Sequence, residues 1–288
     1  MGGFVIKKIK ILFPFLVLVC LFCCCKAEIK SNENNTIGNQ NESTSETVEN
    51  TAPTAQAVAG ISDLSTEKVV WGPGNIKDHK QPADPVKLQE RFRSFNANWL
   101  LPDEKSICLT FDEGYENGYT PQILDVLKEK NVQAIFFVTY DFAKDNPDLI
   151  RRMIDEGHIV GNHSYRHYTM DEVSDEVARE EVTYLHDYME KEYGYTMSYF
   201  RFPKGEFSER ALGIVNDLGY KSVFWSFAYA DWDVDKQPVE TKAFTDICES
   251  THPGEIILLH AVSKTNADIL GKVIDDIVQQ GYTFTVGL

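Results

Sequence analysis

Short apolar runs alternate with amphipathic stretches from residue 106 to the C-terminus, and turn or cap residues set each run off from the next. Ser106–Phe111 reads as a strand, and Thr120-Pro121 opens a helix to about Lys130. Gln133–Thr139 is the second strand, followed by a helix that begins at Asn146-Pro147 and stops at Gly157. His158–Asn162 is the third and leads into a long acidic helix ending near Tyr193. Tyr199–Phe202 is the fourth, with Ser208 capping a helix that ends at Gly219. Lys221–Phe227 is the fifth, a helix covers about Val239–Glu249, and Glu255–His260 is the sixth. A helix over Asn266–Gln280 precedes a last strand at Tyr282–Val286. Seven strands alternating with helices predict an α/β fold with a parallel sheet, either open or closed into a barrel. In both forms function gathers at the carboxyl ends of the strands.

Upstream the pattern changes. Val69 to Trp99 reads as a lead-in, with turn residues at Trp71-Gly72-Pro73-Gly74 and a short helix from Asp84-Pro85 to about Asn98. From Glu28 to about Ser65, Asn, Ser, Thr, Glu and Ala dominate, which is too polar to bury a core and is expected to form a disordered linker. The first residues read as a targeting segment. Lys7, Lys8 and Lys10 precede an uncharged apolar run, Ile11 to Cys25, broken only by Pro14. Those 15 residues are short for a membrane span, which needs about 20, and suit a signal peptide with Cys25-Lys26-Ala27 as its cleavage site. An uncleaved anchor is the alternative. Lipidation at Cys20, Cys23, Cys24 or Cys25 is a third, although no small residue immediately precedes any of them. The expected plan is therefore a signal peptide or anchor at 1–27, a linker at 28–65, a lead-in packed on the barrel at 66–105 and a catalytic domain at 106–288.

Charge and cysteine content narrow the picture. The formal net charge is −16, and with four lysines and no acid in residues 1–27 the remainder carries −20. So acidic a protein repels phosphate backbones, which argues against a nucleic-acid partner, and only the N-terminal segment is expected to meet a membrane. Cys108 and Cys248 are the cysteines left outside that segment, and two so far apart form no disulfide framework, so free buried thiols are expected. A monomer is expected.

The polar residues then fall where an α/β fold would place a site. Asp112-Glu113 ends the first strand, and the third runs into His163-Ser164-Tyr165-Arg166-His167. Arg201-Phe202-Pro203-Lys204-Gly205 follows from the fourth, Asp231-Trp232 comes after the fifth, and Leu258-Leu259-His260 closes the sixth. Singly, each cluster has an ordinary structural reading: a helix face, a solvated turn, an ion pair, a satisfied core histidine. Together they converge on one mouth. Two imidazoles and a carboxylate with open positions make a catalytic metal site, with zinc the default. A second carboxylate could take a proton from water, and a histidine opposite could protonate a leaving nitrogen. That combination is amide hydrolysis.

These five clusters, Thr110-Phe111-Asp112-Glu113-Gly114, His163-x-x-x-His167, Arg201-x-Pro203, Asp231-Trp232 and Leu258-x-His260, resemble the ordered motifs of the polysaccharide deacetylase family (the NodB-homology domain, carbohydrate esterase family 4). The resemblance covers roughly residues 100–288 and implies an irregular seven-stranded (β/α) barrel related to the TIM barrel. Gly114 to Thr120, Gly161-Asn162-His163-Ser164, Phe207-Ser208-Glu209 and His252-Pro253-Gly254-Glu255 resemble the branch acting on N-acetylmuramic acid of peptidoglycan, toward muramic δ-lactam in the spore cortex. By that resemblance Asp112 would be the general base, held ionised by Arg201, and His260 the general acid, oriented by Asp231. His163, His167 and Glu113 would hold the divalent metal. Trp232 and Leu258 would wall the slot for the acetyl methyl, and a backbone N–H near Lys204 would meet the oxyanion. The general family has Asp where Glu113 stands. It has an aromatic residue where Lys204 stands, and Lys204 with Arg166 would suit a substrate bearing a carboxylate. The alternatives are a deacetylase for N-acetylglucosamine and, in another class, a non-catalytic glycan-binding module, for which the full acid–base set has no use.

Overall fold

The computed structural model describes residues 60–288 apart from Asn75, Lys77, Asp103 and Glu104, so the expected signal segment and most of the linker lie outside the described residues. The chain leads in through β1 (Val69–Val70), α1 (Ala83–Arg91) and β2 (Ala97–Asn98). It then alternates through β3 (Ser106–Glu113), α2 (Thr120–Lys130), β4 (Ile135–Val138), α3 (Tyr140–Asp145), α4 (Pro147–Asp155), β5 (Ile159–Asn162) and α5 (Asp175–Tyr193). β6 (Tyr199–Phe200), β7 (Glu206–Phe207), α6 (Glu209–Asp217), β8 (Lys221–Val223) and β9 (Phe227–Ala228) follow. The last elements are α7 (Glu240–Ser250), β10 (Ile256–His260), α8 (Lys264–Gln279) and β11 (Thr283–Phe284).

Parallel pairing builds one curled sheet in the order β2-β8-β6-β5-β4-β3-β10-β9, with β11 joined to the start of β3. All eight residues of β3 are buried, as expected of a strand covered on both faces. No ladder joins β9 to β2, so the barrel stays open along one seam. Register fixes the height of the site. Glu113 pairs with Val138, Val138 with Asn162 and Asn162 with Phe200, while His260 pairs with Asp112. Asp112, His163, Arg201 and His260 are therefore at one level, at the carboxyl ends of four strands.

The seam explains the largest departure from the expected strands. Lys221–Phe227 is not one strand but two, β8 and β9, on opposite sides of the sheet. The carbonyls between them are taken by side chains: Val223 O and Phe224 O accept from Arg201, and Trp225 O accepts from Trp71 Nε1 at 3.0 Å. The lead-in is also more than a cover. Its expected helix ends at Arg91, Asn96 turns into the left-handed region at φ 50°, and β2 pairs with β8. Trp99 stacks on Phe224 at 4.2 Å and packs against Phe92 and Phe207, which joins lead-in and sheet in one core. Packing begins still earlier, within the stretch composition assigns to the linker. Leu64 lies where a Cβ on Gly213 of α6 would come within 2.5 Å of it, and Ser65 O accepts from Arg210 N. Cys108 and Cys248 are buried free thiols.

Candidate active site

Side chains alternate across a strand, so Thr110 and Asp112 share the inner face of β3. Arg201, fully buried, reaches both: Nη1 donates to Thr110 Oγ1 at 2.8 Å and to Asp112 Oδ1 at 2.9 Å. The guanidinium is held in turn by Val223 O and Phe224 O and lies 4.1 Å over the Phe137 ring. Five donors in a rigid fork suit this fixed setting. Burial alone would raise the Asp112 carboxyl, but the charge and hydrogen bond of Arg201, with the charge of His260, outweigh it and hold the group below the usual carboxylate range.

His163 and His167 are not on a helix. Their loop turns at Ser164 and His167, with φ of 73° and 59°, and this folds the two rings toward each other. Asn162 and Ser164 hold the turn, Asn162 Oδ1 accepting from Ser164 N and Ser164 Oγ from His167 N. His163 Nδ1 lies 3.0 Å from Arg201 O. A carbonyl can only accept, so Nδ1 carries the hydrogen and the lone pair is left on Nε2. That Nε2 is 3.2 Å from His167 Nε2 and 3.5 Å from Asp112 Oδ2. Burial keeps both rings neutral, with His167 lowered to about 4 by burial and by the neighbouring His163. Two neutral nitrogens facing one point are what a divalent metal requires, and the second-site bond at Nδ1 orients the ligand.

Across the mouth, Asp231 is fully buried and accepts three hydrogen bonds, from His260 N at 2.8 Å, His260 Nδ1 at 2.7 Å and Asn266 Nδ2 at 2.6 Å. Burial would lower the His260 imidazolium, but the bond to Asp231 and the charges of Asp231 and Asp112 raise it above its ordinary value. Nε2 is left as its free ring nitrogen. The cleft between these groups holds about 510 Å³ and is lined by Asp112, His163, His167, Lys204, Leu258 and His260, with Tyr115, Trp225, Tyr229 and Trp232 among its aromatic walls. Leu258 lies deep, whereas Trp232 stands at the rim, 58% exposed and edge-on to His260 at 6.1 Å. Lys204 stands with φ 59° in a tight turn, its Nζ 3.5 Å from Thr169 Oγ1 and without an ion pair among the described residues.

The ordered clusters sit on a fold with known counterparts. Residues 101–223 match the polysaccharide deacetylase family. The chain is 42% identical over 238 residues to the peptidoglycan-N-acetylmuramic acid deacetylase PdaA of Bacillus subtilis, covering 80% of this chain and 88% of that one. The chain belongs to the polysaccharide deacetylase family. The structure of the B. subtilis deacetylase, a family 4 carbohydrate esterase, matches with a TM-score of 0.74 over 77% of this chain and 96% of that one. A family 4 carbohydrate esterase from Bacillus anthracis, 41% identical, matches with a TM-score of 0.64 over 77% and 95%. The curled parallel sheet is thus the family's (β/α) barrel, and the protein is a hydrolase of that family.

Two residues expected in the deacetylase's site lie elsewhere. Glu113 points to the outer face of β3, beneath α2, where its Oε1 accepts from Thr120 Oγ1 at 3.3 Å and its Oε2 has no hydrogen-bond partner among the described residues. Burial, with the Glu116 carboxylate beside it, raises its carboxyl well above the usual range. It does not face the histidines, and no three His, Cys, Asp or Glu side chains among the described residues form a metal-ligand set. Thr120, expected to cap α2, spends its hydroxyl on this contact. Arg166 is also turned away from the mouth. Its Nε donates to the buried Glu181 at 2.7 Å, its Nη2 pairs with Glu180, and its guanidinium lies over Tyr165 and Tyr168. Tyr115, Trp225 and Tyr229 were not singled out from the sequence. Tyr115, two residues beyond the acid pair, carried the clearest signal.

Proposed function

We propose that this deacetylase removes the acetyl group from N-acetylmuramic acid in peptidoglycan whose peptide has been stripped away, and that residues 1–27 direct its export to the cell envelope. One observation carries the choice of sugar: Lys204 brings to the cleft an ammonium that makes no ion pair with a carboxylate among the described residues, in a protein of strongly negative charge. Stripped muramic acid ends in a lactyl carboxylate, which N-acetylglucosamine lacks. The activity of the B. subtilis relative supports the same choice.

His163 and His167 would hold a divalent ion, with zinc the default for nitrogen ligands and open positions, and Glu113 has no part in holding it. When bound, that ion supplies a Lewis acid toward the acetyl carbonyl. The chain's own groups do the rest. Asp112, ionised beside Arg201, takes the proton of the attacking water. His260, charged beside Asp231, gives a proton to the leaving nitrogen. The Lys204 backbone N–H, free of partners among the described residues, faces the developing oxyanion. Leu258 floors the slot for the methyl. Acetate release from intact and peptide-stripped peptidoglycan, with and without added zinc, tests the proposal. Zinc-stimulated release from stripped material is expected, and release from intact material alone would refute the choice of sugar.

A further inference from the structure

Four large aromatic side chains are exposed among the described residues: Tyr115, Tyr168, Tyr184 and Trp232. Tyr184 stacks on Tyr165 at 3.8 Å, and Tyr168 lies against the Arg166 guanidinium, so both belong to packed surface clusters. Tyr115 and Trp232 differ. Both line the cleft, at 53% and 58% exposure. Among the described residues Tyr115 makes no ring contact and no side-chain hydrogen bond, and the ring contact of Trp232 is with His260. Single exposed aromatics are common on protein surfaces, but two at one catalytic mouth with open ring faces are not accounted for by packing.

Strand order says how they are placed. Tyr115 follows β3, Trp232 follows β9, and β10 with His260 at its end lies between those strands. Asn117 Nδ2 donates to Val262 O at 2.9 Å, which ties the Tyr115 loop to the loop after β10 and keeps it beside the site. Lys204 follows β6, four strands along the curl from β10, and so faces His260 from the far wall. The C–H face of a β-linked pyranose packs on the electron-rich face of an aromatic ring. Resting on the deacetylase reading of the site, we infer that Tyr115 and Trp232 are stacking platforms for the sugars on either side of the reacting residue. The glycan then crosses the ends of β3, β10 and β9, and the enzyme works on residues inside a strand. Its side chains toward Lys204 carry the group that selects the sugar, while the two aromatics select for polymer.

Peptide-free glycan strands from disaccharide to octasaccharide test this in two ways. In acetate release, kcat/KM should rise by about tenfold or more with strand length, and Tyr115→Ala should remove most of that rise while Tyr115→Phe keeps it. A wild-type rate equal on short and long strands overturns the platforms and leaves the deacetylase reading standing. In a binding titration the signal is the part of the tryptophan emission that Trp232→Phe removes, since Trp71 and Trp99 are buried away from the cleft and Trp225, which also lines it, is retained in that variant. A blue shift that saturates at lower concentration with longer strands, and that Tyr115→Ala weakens by about tenfold, supports the platforms even if no strand yields acetate. That last result would sink the deacetylase reading alone. No shift with any strand overturns the platforms.

Discussion

Asp112 and Glu113 are neighbours on β3 and carry the same functional group, yet the structure puts them in opposite states. Asp112 faces the barrel interior, where a fixed guanidinium and the charge of His260 favour its anion. Glu113 faces the helix layer, where burial, the charges of Glu116 and Asp112 and a single hydroxyl partner leave the neutral acid favoured. Both are buried. Burial therefore does not decide which acid ionises; the partners do. The same contrast separates the two cations of the motif loops, since Arg166 pairs with Glu180 and Glu181, whereas Lys204 makes no ion pair among the described residues.

Substitutions on either side of that contrast should differ widely. Asp112→Asn is expected to cost about 10²–10⁴ in turnover, the range for a positioned proton-transfer group, with the fold retained by circular dichroism. Near-normal activity would mean that another base acts. Arg201→Met removes one member of a fully buried ion pair and should cost about 3–5 kcal/mol in a denaturant melt. A loss under 1 kcal/mol would show that Asp112 does not depend on it. Asp231→Asn tests the other half of the acid–base set. His260 is held protonated above its ordinary value, so activity should fall as pH rises through that raised pKa. Without the Asp231 charge the alkaline limb should move to lower pH, and an unmoved limb would count against His260 as the acid. Glu113→Gln is expected to change stability by about 1 kcal/mol or less, because the amide replaces an acid whose neutral form its surroundings favour. A metal titration of Glu113→Asp should match the wild type, and a tighter site would restore Glu113 as a ligand.

Much of this was legible in the sequence. The alternation of apolar runs and amphipathic helices located the sheet, and the strand-end rule collected Asp112, His163, His167, Arg201, Asp231 and His260 before any geometry was known. The placement of Glu113 was available too, since period-two alternation puts adjacent strand residues on opposite faces, and an expectation that sets Glu113 among the metal ligands beside the base Asp112 ignores it. The break between β8 and β9 was not available. It depends on Arg201 and Trp71 capturing carbonyls across the fold, while Lys221–Phe227 itself reads as one apolar run. Nor could the pairing of Arg166 be read, because the acids that neutralise it lie on α5 and are brought to it by the chain's return.

The central claim is that an unpaired cation in the cleft chooses the sugar, and Lys204→Met tests it most directly. A charge-assisted hydrogen bond to the lactyl carboxylate is worth about 1.5–3 kcal/mol. The ratio of kcat/KM on peptide-stripped N-acetylmuramic acid strands to that on N-acetylglucosamine oligomers should therefore fall by about tenfold to more than a hundredfold. Equal losses on both substrates, or a wild-type preference for glucosamine, would contradict it.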